Sequence, residues 1–144
     1  LFLAEVLRSV LKEEEENASL YHFLAHALIW LDTHDKIANV HVHILIQLTK
    51  YLGFYPDISD ISQPYFDVQN GRFCQYANSN ECISGDEVSL LKTYLGTKFD
   101  ALDTILASTE QRRALLTLIM QYYQRHAQSF RMPKSLDVLY EVFK

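Results

Sequence analysis

The chain has 144 residues, of which 49% are hydrophobic, and a formal net charge of −5. This composition is sufficient for one compact domain with a core, and it argues against intrinsic disorder and against indiscriminate nucleic-acid binding. No apolar run approaches the length that crosses a bilayer, and two cysteines are too few for a secreted disulfide framework, so we expect a reduced, cytoplasmic setting and no membrane contact.

The first part of the chain has helical periodicity. Apolar residues recur every three or four positions over residues 1–13, 19–31 and 39–52, which predicts three helices. Asn39 is a suitable N-cap for the third helix, and Gly53 stands where a C-terminal glycine cap belongs. The chain starts without Met inside the first helical pattern, and we therefore expect it to be a fragment of a longer protein.

The sequence period changes in the middle of the chain. Two runs rich in aromatic residues, 65–69 and 72–76, flank Asn70 and Gly71. This dipeptide between such runs predicts a two-residue β-hairpin turn. A polar connection over residues 77–82 follows, and a lone hairpin of this size must pack on helices to be stable.

Further helices are predicted after the hairpin. Ser84 and Glu87 form a capping box for a helix that ends at Gly96, and a short helical segment covers residues 98–106. A long helix covers residues 108–130.

A last helix, capped by Ser135, closes the chain. The predicted fold is therefore mainly α: a single domain over residues 1–144, folded as a compact bundle of six or seven helices with one small β-hairpin at residues 65–76.

The long helix over residues 108–130 organises the predicted bundle. Ser108 and Gln111 form a capping box at its start, and a narrow polar stripe leaves most of its circumference apolar, as in a central helix packed on several sides. Arg112 and His126 lie outside this stripe. Two interpretations of Arg112 stay open: a snorkelling side chain at a helix end, or a cation at the rim of an apolar pocket that receives a carboxylate.

Basic residues are concentrated late in the chain. Residues 1–100 contain seven bases and fourteen acids, whereas residues 101–144 contain six bases and four acids. The segment 111–134 has no acid and five bases: Arg112, Arg113, Arg125, Arg131 and Lys134. We predict that these five form a basic face that binds an anionic partner.

Signals for catalysis or metal binding are weak. The pairs His22/His26 and His41/His43 have spacings that could present two imidazoles to zinc, but no third ligand is evident, and structural histidines are the better interpretation. The sequence contains no phosphate loop, dinucleotide loop or nucleophile elbow. We therefore expect a protein that is not an enzyme and has no cofactor.

Four short segments occur in a characteristic order. They are LYHFL at 20–24, LGFYP at 52–56, GRF at 71–73 and KSL at 134–136. In this order and at these separations, they resemble the C-terminal domain of the RecO family of bacterial DNA repair proteins, over essentially the whole chain. The resemblance implies a helical domain that normally follows an N-terminal OB-fold, which we expect to be missing from this chain.

The resemblance also implies a function and partners. Members of this family mediate recombinational DNA repair in the bacterial cytoplasm. They bind DNA, mainly through the OB-fold, anneal complementary strands, bind the acidic tail of single-stranded-DNA-binding protein and load recombinase together with RecR. Some members hold zinc through four cysteines after the third helix. This chain has only Cys74 and Cys82 in that region, so we expect the zinc site to be lost.

The resemblance and the charge pattern suggest one arrangement of the site. Arg112 would receive the aromatic, carboxylate end of an acidic tail, and the other four bases would contact the acids of that tail or DNA phosphates. His126 is too far along the helix from Arg112 to share a small pocket with it, and we predict a structural role for it. The alternative is a generic helical protein-interaction domain without a role on DNA.

Overall fold

The computed structural model describes residues 5–7, 22 and 37–127. These residues contain four helices: α1 (Ile37–Leu52), α2 (Asp86–Leu95), a 3-10 helix (Phe99–Thr104) and α3 (Thr109–His126). They also contain a three-stranded antiparallel sheet of β1 (Tyr65–Asp67), β2 (Arg72–Cys74) and β3 (Cys82–Ile83).

The predicted bundle of six or seven helices with one hairpin is therefore wrong. The described part of the chain is a four-helix arrangement with a small sheet. The helices predicted over residues 1–13, 19–31 and 135–143 lie outside the described residues, apart from residues 5–7 and 22, which are helical. No described helix is both long and apolar enough to cross a membrane.

The sheet has the strand order β2–β1–β3. Strand β1 pairs with both neighbours, so that Tyr65 lies opposite Cys74 and Asp67 lies opposite Cys82. The predicted hairpin strands thus correspond to β1 and β2, whereas β3 falls at the end of the predicted polar connection. A strand of two residues contains no alternation that a sequence pattern could reveal.

The loop between β1 and β2 has four residues, 68–71, so the predicted two-residue turn is wrong. The carboxylate of Asp67 accepts hydrogen bonds from the Asn70 backbone N–H at 3.2 Å and from Asn70 Nδ2 at 2.7 Å. The Gly71 N–H donates to the Asp67 carbonyl at 2.8 Å. By engaging Asn70 in this way, the Asp67 side chain competes with strand pairing and lengthens the turn.

Helix ends agree with some of the predicted caps. The Ser108 side chain accepts the Gln111 N–H at 3.1 Å and the Gln111 side chain accepts the Ser108 N–H at 2.9 Å, which confirms the capping box of α3. Helix α2 instead begins after Gly85, whose φ of 112° turns the chain before the first helical residue. Its cap has no side-chain hydrogen bond, so the predicted Ser84 box is wrong.

Helix α3 is the central helix, as predicted. It packs against α2 and α1, and its apolar residues are buried: Leu115, Leu116, Leu118, Ile119, Met120, Tyr122 and Tyr123. The polar stripe is exposed at Glu110, Thr117, Gln121 and Gln124. The helix ends at His126, four residues before the predicted end, and residues 128–130 lie outside the described part of the chain.

Candidate functional site

The three described arginines of the predicted basic face lie at opposite ends of α3. Arg112 and Arg113 are in its first turns and Arg125 is in its last turn. At 1.5 Å per residue, Arg112 and Arg125 are separated by about 20 Å along the axis. Arg131 and Lys134 lie outside the described residues. That all five bases form one continuous face stays a prediction. The three described arginines lie at two separate positions, one at each end of α3.

Arg112 belongs to a buried hydrogen-bond network centred on Asn39, which is 1% exposed. The Oδ1 atom of Asn39 accepts hydrogen bonds from Arg112 Nε at 3.1 Å and from Tyr94 Oη at 2.7 Å. Its Nδ2 atom donates to the carbonyls of Leu102 at 2.8 Å and Ile105 at 3.3 Å. The network joins both α-helices that pack on α3 to the end of the 3-10 helix.

This network changes the role assigned to two residues. Helix α1 begins at Ile37, so Asn39 is a helix residue and not the predicted N-cap. Arg112 is a partly buried side chain whose Nε is bonded inside the protein. Burial raises the pKa of Tyr94, and the neighbouring Arg112 guanidinium opposes that rise by favouring the phenolate. These contacts support a structural role for Arg112.

Arg125 faces the sheet from the last turn of α3. Its Nε lies 3.3 Å from Glu81 Oε1, and the two side chains are 46% and 40% exposed. With its amide oriented to satisfy both neighbours, Gln69 donates to Glu81 Oε2 at 3.2 Å and accepts from Arg125 Nη2 at 3.3 Å. An ion pair this exposed contributes at most about 1 kcal/mol, so a competing carboxylate can displace Glu81.

A groove of about 340 Å³ runs between α3 and the β3 edge of the sheet. It is lined by Val68, Asn80, Glu81, Ile83, Gln121, Gln124 and Arg125. Val68 and Ile83 supply apolar surface, two glutamines supply amide donors and acceptors, and Arg125 supplies the cation. This combination suits a short acidic peptide segment, because the arginine can bind a carboxylate while apolar side chains pack below it.

An aromatic cluster fixes the end of α3 against this groove. The Nε2 atom of His126 hydrogen-bonds to the Val68 carbonyl at 2.7 Å, and its ring stacks on Phe54 with centroids 5.7 Å apart. Tyr122 Oη donates to the Phe54 carbonyl at 2.5 Å, and burial raises the pKa of Tyr122 to about 12. The structural role predicted for His126 is thus confirmed, and the residue helps to position the groove.

The residues near the sheet do not fit a four-cysteine zinc site. Cys74 and Cys82 are free thiols, and among the described residues no group of three or more histidine, cysteine or acidic side chains could hold a metal ion. Two thiolates supply only half of a tetrahedral zinc site.

Sequence reasoning missed both Asn39 and Glu81 as site residues. A polar residue inside an otherwise apolar helical stripe was a usable signal for Asn39. No comparable signal existed for Glu81, because it is 44 residues before Arg125 in the chain and reaches it only when β3 joins the sheet.

The chain is similar to one well-defined group of proteins. The sequence model of the family described as "Recombination protein O C terminal" matches residues 1–136. The chain is 44% identical over 143 residues to the DNA repair protein RecO of Christiangramia forsetii, covering 99% of this chain and 60% of that relative. It is 35% identical to the protein of the same name from Bacteroides fragilis, with 99% of this chain and 61% of the relative covered.

These relatives are longer than the chain, which spans about 60% of their length. No solved structure matches it. Because the family match extends over nearly all of its residues, the chain belongs to the RecO C-terminal domain family.

Proposed function

We propose that this chain is a non-enzymatic, cytoplasmic mediator domain of recombinational DNA repair that binds the acidic tail of single-stranded-DNA-binding protein. Membership of the RecO family supports the repair role. In this proposal the domain also cooperates with DNA and RecR in strand annealing and recombinase loading, and it needs no zinc. A generic helical interaction domain would share the fold without these partners.

The groove beside Arg125 is the observation that carries the proposal. The partly exposed guanidinium lines the same groove as Val68 and Ile83, and its present partner, Glu81, is itself a carboxylate. An acidic peptide with an aromatic C-terminal residue offers the same charge and adds an apolar group. Glu81 therefore acts as an internal competitor for the position that the peptide carboxylate would take.

The binding test uses two substitutions with opposite expected effects. Arg125→Ala should weaken the binding of an acidic peptide ending in phenylalanine by about tenfold, the equivalent of one good charge contact. Glu81→Gln should strengthen it several-fold, because the competing carboxylate is removed while Arg125 remains. Fluorescence anisotropy with a labelled peptide measures both changes.

Arg72→Ala is the matched control. This arginine is exposed on β2, at the other edge of the sheet from the groove, and its loss should leave the affinity unchanged. Equal affinities for all the variants would exclude the groove as the peptide site without affecting the family assignment. Weaker binding in both the Glu81 and the Arg125 variants would show that their ion pair shapes the groove instead of competing with the ligand.

A further inference from the structure

The β1–β2 loop contains a pair of residues that react with each other in unfolded chains. Asn70 is the only one of the five asparagines in the sequence that is followed by glycine. A glycine has no side chain to shield its backbone nitrogen, so that nitrogen reaches the side-chain amide of the preceding asparagine. The amide is then lost as ammonia, which is the reaction called deamidation. Asn70 is exposed in the folded protein, so water reaches the site.

The fold engages both reacting groups in hydrogen bonds to one residue, Asp67. Asn70 Nδ2 donates to Asp67 Oδ2 at 2.7 Å, and the Gly71 N–H donates to the Asp67 carbonyl at 2.8 Å. Gly71 also rests against Tyr122, whose Oη atom lies 2.5 Å from the position that a Cβ would take. Attack on the Asn70 side chain requires the Gly71 nitrogen to give up its present bond and turn towards that side chain. The loop therefore has to open before the reaction takes place.

We propose that Asn70 is a deamidation site, protected by Asp67 in the folded protein, and that its modification releases the β1–β2 loop. Once the loop opens, the Gly71 N–H loses its proton to hydroxide, and the nitrogen attacks Cγ of Asn70. The bond from Cγ to Nδ2 breaks, and the amide leaves as ammonia with a proton taken from water. Water then opens the five-membered imide at either of its carbonyls, which gives aspartate or isoaspartate. In sum, one amide and one water become one carboxylic acid and one ammonia, with no change of oxidation state.

Both products lose the contact that closes the loop. Aspartate at position 70 has a carboxylate oxygen where Nδ2 now donates, and two ionised carboxylates repel each other instead of sharing that hydrogen bond. Isoaspartate also adds a carbon atom to the main chain of a four-residue loop. Val68 belongs to the same loop and lines the groove beside α3, so the modification would alter one wall of that groove. The inference depends only on the hydrogen bonds of the loop, and it holds whether or not a peptide binds there.

The test compares the rate of deamidation at Asn70 in the folded protein and in guanidinium chloride, at one pH and one temperature. Peptide mapping by mass spectrometry follows the exchange of an NH group for oxygen in the peptide that contains this residue. The reaction should be on the order of a hundredfold faster in the unfolded protein, because two hydrogen bonds have to break in the folded loop and the rate follows the population of the open form. Equal rates in the two states, or no reaction at Asn70 in the unfolded protein, would overturn the proposal.

The Asp67→Asn variant separates the role of this side chain from that of the whole fold. Asp67 accepts two hydrogen bonds from Asn70 through two oxygens, whereas an asparagine has one side-chain oxygen and keeps only one of them. Deamidation of the folded variant should be about fivefold faster than in the wild type. Asp60→Asn, which removes an exposed carboxylate outside this loop, is the matched control with an unchanged rate. Equal rates in the two folded variants would show that Asp67 gives no protection.

The Asn70→Asp variant carries one of the two products and tests the release of the loop directly. Its Gly71 amide hydrogen should exchange with solvent at least about tenfold faster than in the wild type, because the contact between the side chains at positions 67 and 70 is lost. Exchange at the wild-type rate would contradict the release. This measurement and the wild-type comparison decide the proposal if the Asp67 variant does not fold.

Discussion

A single buried amide, Asn39, satisfies four polar groups from three other parts of the chain. Its side chain accepts from Arg112 and Tyr94 and donates to two carbonyls at the end of the 3-10 helix. Without Asn39, each of these groups would lose its hydrogen bonds to water on folding and gain no partner in the protein. The resulting loss of stability per group is larger than the net contribution of an average hydrogen bond. We infer that the network holds α1, α2 and α3 in register at the end where Arg112 lies.

Replacement of Asn39 should therefore be strongly destabilising. Asn39→Ala leaves the Arg112 Nε, the Tyr94 hydroxyl and two carbonyls without their shared partner, and we expect a loss of on the order of 3 kcal/mol in the free energy of unfolding. Urea denaturation followed by circular dichroism measures the change. The exposed Asn80→Ala is the control, with an expected change within about 0.5 kcal/mol. Similar values for the two variants would contradict a structural role for the network.

His43 gives the protein a predictable response to acid. The residue is 3% exposed, and burial lowers its pKa from 6.5 to about 4. Between these pH values the unfolded chain binds a proton at His43 that the folded protein excludes. The free energy of unfolding is therefore not reduced by His43 above pH 6.5, and it decreases as the pH falls from 6.5 towards 4. The loss reaches on the order of 3 kcal/mol at pH 4.

The His43→Asn variant tests this linkage. It should unfold with a shallower pH dependence than the wild type between pH 6.5 and 4, even if its stability at pH 7 is lower. Urea midpoints across that range give the two slopes. Parallel curves would mean that His43 does not account for the acid response.

At the scale of elements, the turn between β1 and β2 shows how tertiary contact constrains a glycine. Gly71 has φ 64°, and a Cβ built there would lie 2.5 Å from Tyr122 Oη. The same Tyr122 hydroxyl donates to the Phe54 carbonyl, so it cannot move aside without losing that bond. The loop is thus pressed against α3, and a side chain at position 71 meets both backbone strain and a steric clash.

Gly71→Ala should destabilise the protein by about 1–3 kcal/mol for these two reasons. Gly96→Ala is the matched control, because the φ of Gly96 is −92° and its Cβ would make only ordinary contact with the Lys92 carbonyl at 3.6 Å. Thermal unfolding of the two variants measures the difference. A Gly71 variant as stable as the Gly96 variant would show that Tyr122 has room to rotate away.

Local signals predicted some of the helix ends correctly, whereas contacts between residues distant in sequence could not be predicted. The Ser108 capping box involves residues only three apart in sequence, so it could be predicted. The glycine after α1 could also be predicted, because the end of a helix depends on one turn of chain, and Gly53 has the positive φ of 92° expected there. The partners of Arg112 and Arg125 lie 73 and 44 residues away along the chain. The amphipathic pattern showed that Arg112 lies outside the polar stripe of its helix. That pattern contains no information about which distant side chain contacts Arg112.

For the whole molecule, the distribution of cations favours peptide binding over binding along a nucleic-acid strand. The described arginines of α3 lie in two groups about 20 Å apart. Arg112 is bonded to Asn39 and Arg125 to Glu81. An acidic peptide needs only the Arg125 end, where it displaces the exposed Glu81, whereas a strand contacting all five predicted bases would also have to break the partly buried bond between Arg112 and Asn39.

Salt dependence separates these two modes of binding. For a single strand, five phosphate contacts predict that raising salt from about 50 to about 200 mM weakens binding somewhat more than a hundredfold, whereas four contacts predict about fiftyfold. With Arg112 engaged internally and Glu81 displaceable from Arg125, at most four of the five bases are left, and we expect the smaller change for single-stranded DNA. Arg112→Gln should leave the slope unaltered, because that side chain makes no phosphate contact in this arrangement. A hundredfold loss in the wild type, reduced in the Arg112 variant, would show instead that the network around Asn39 opens to bind DNA.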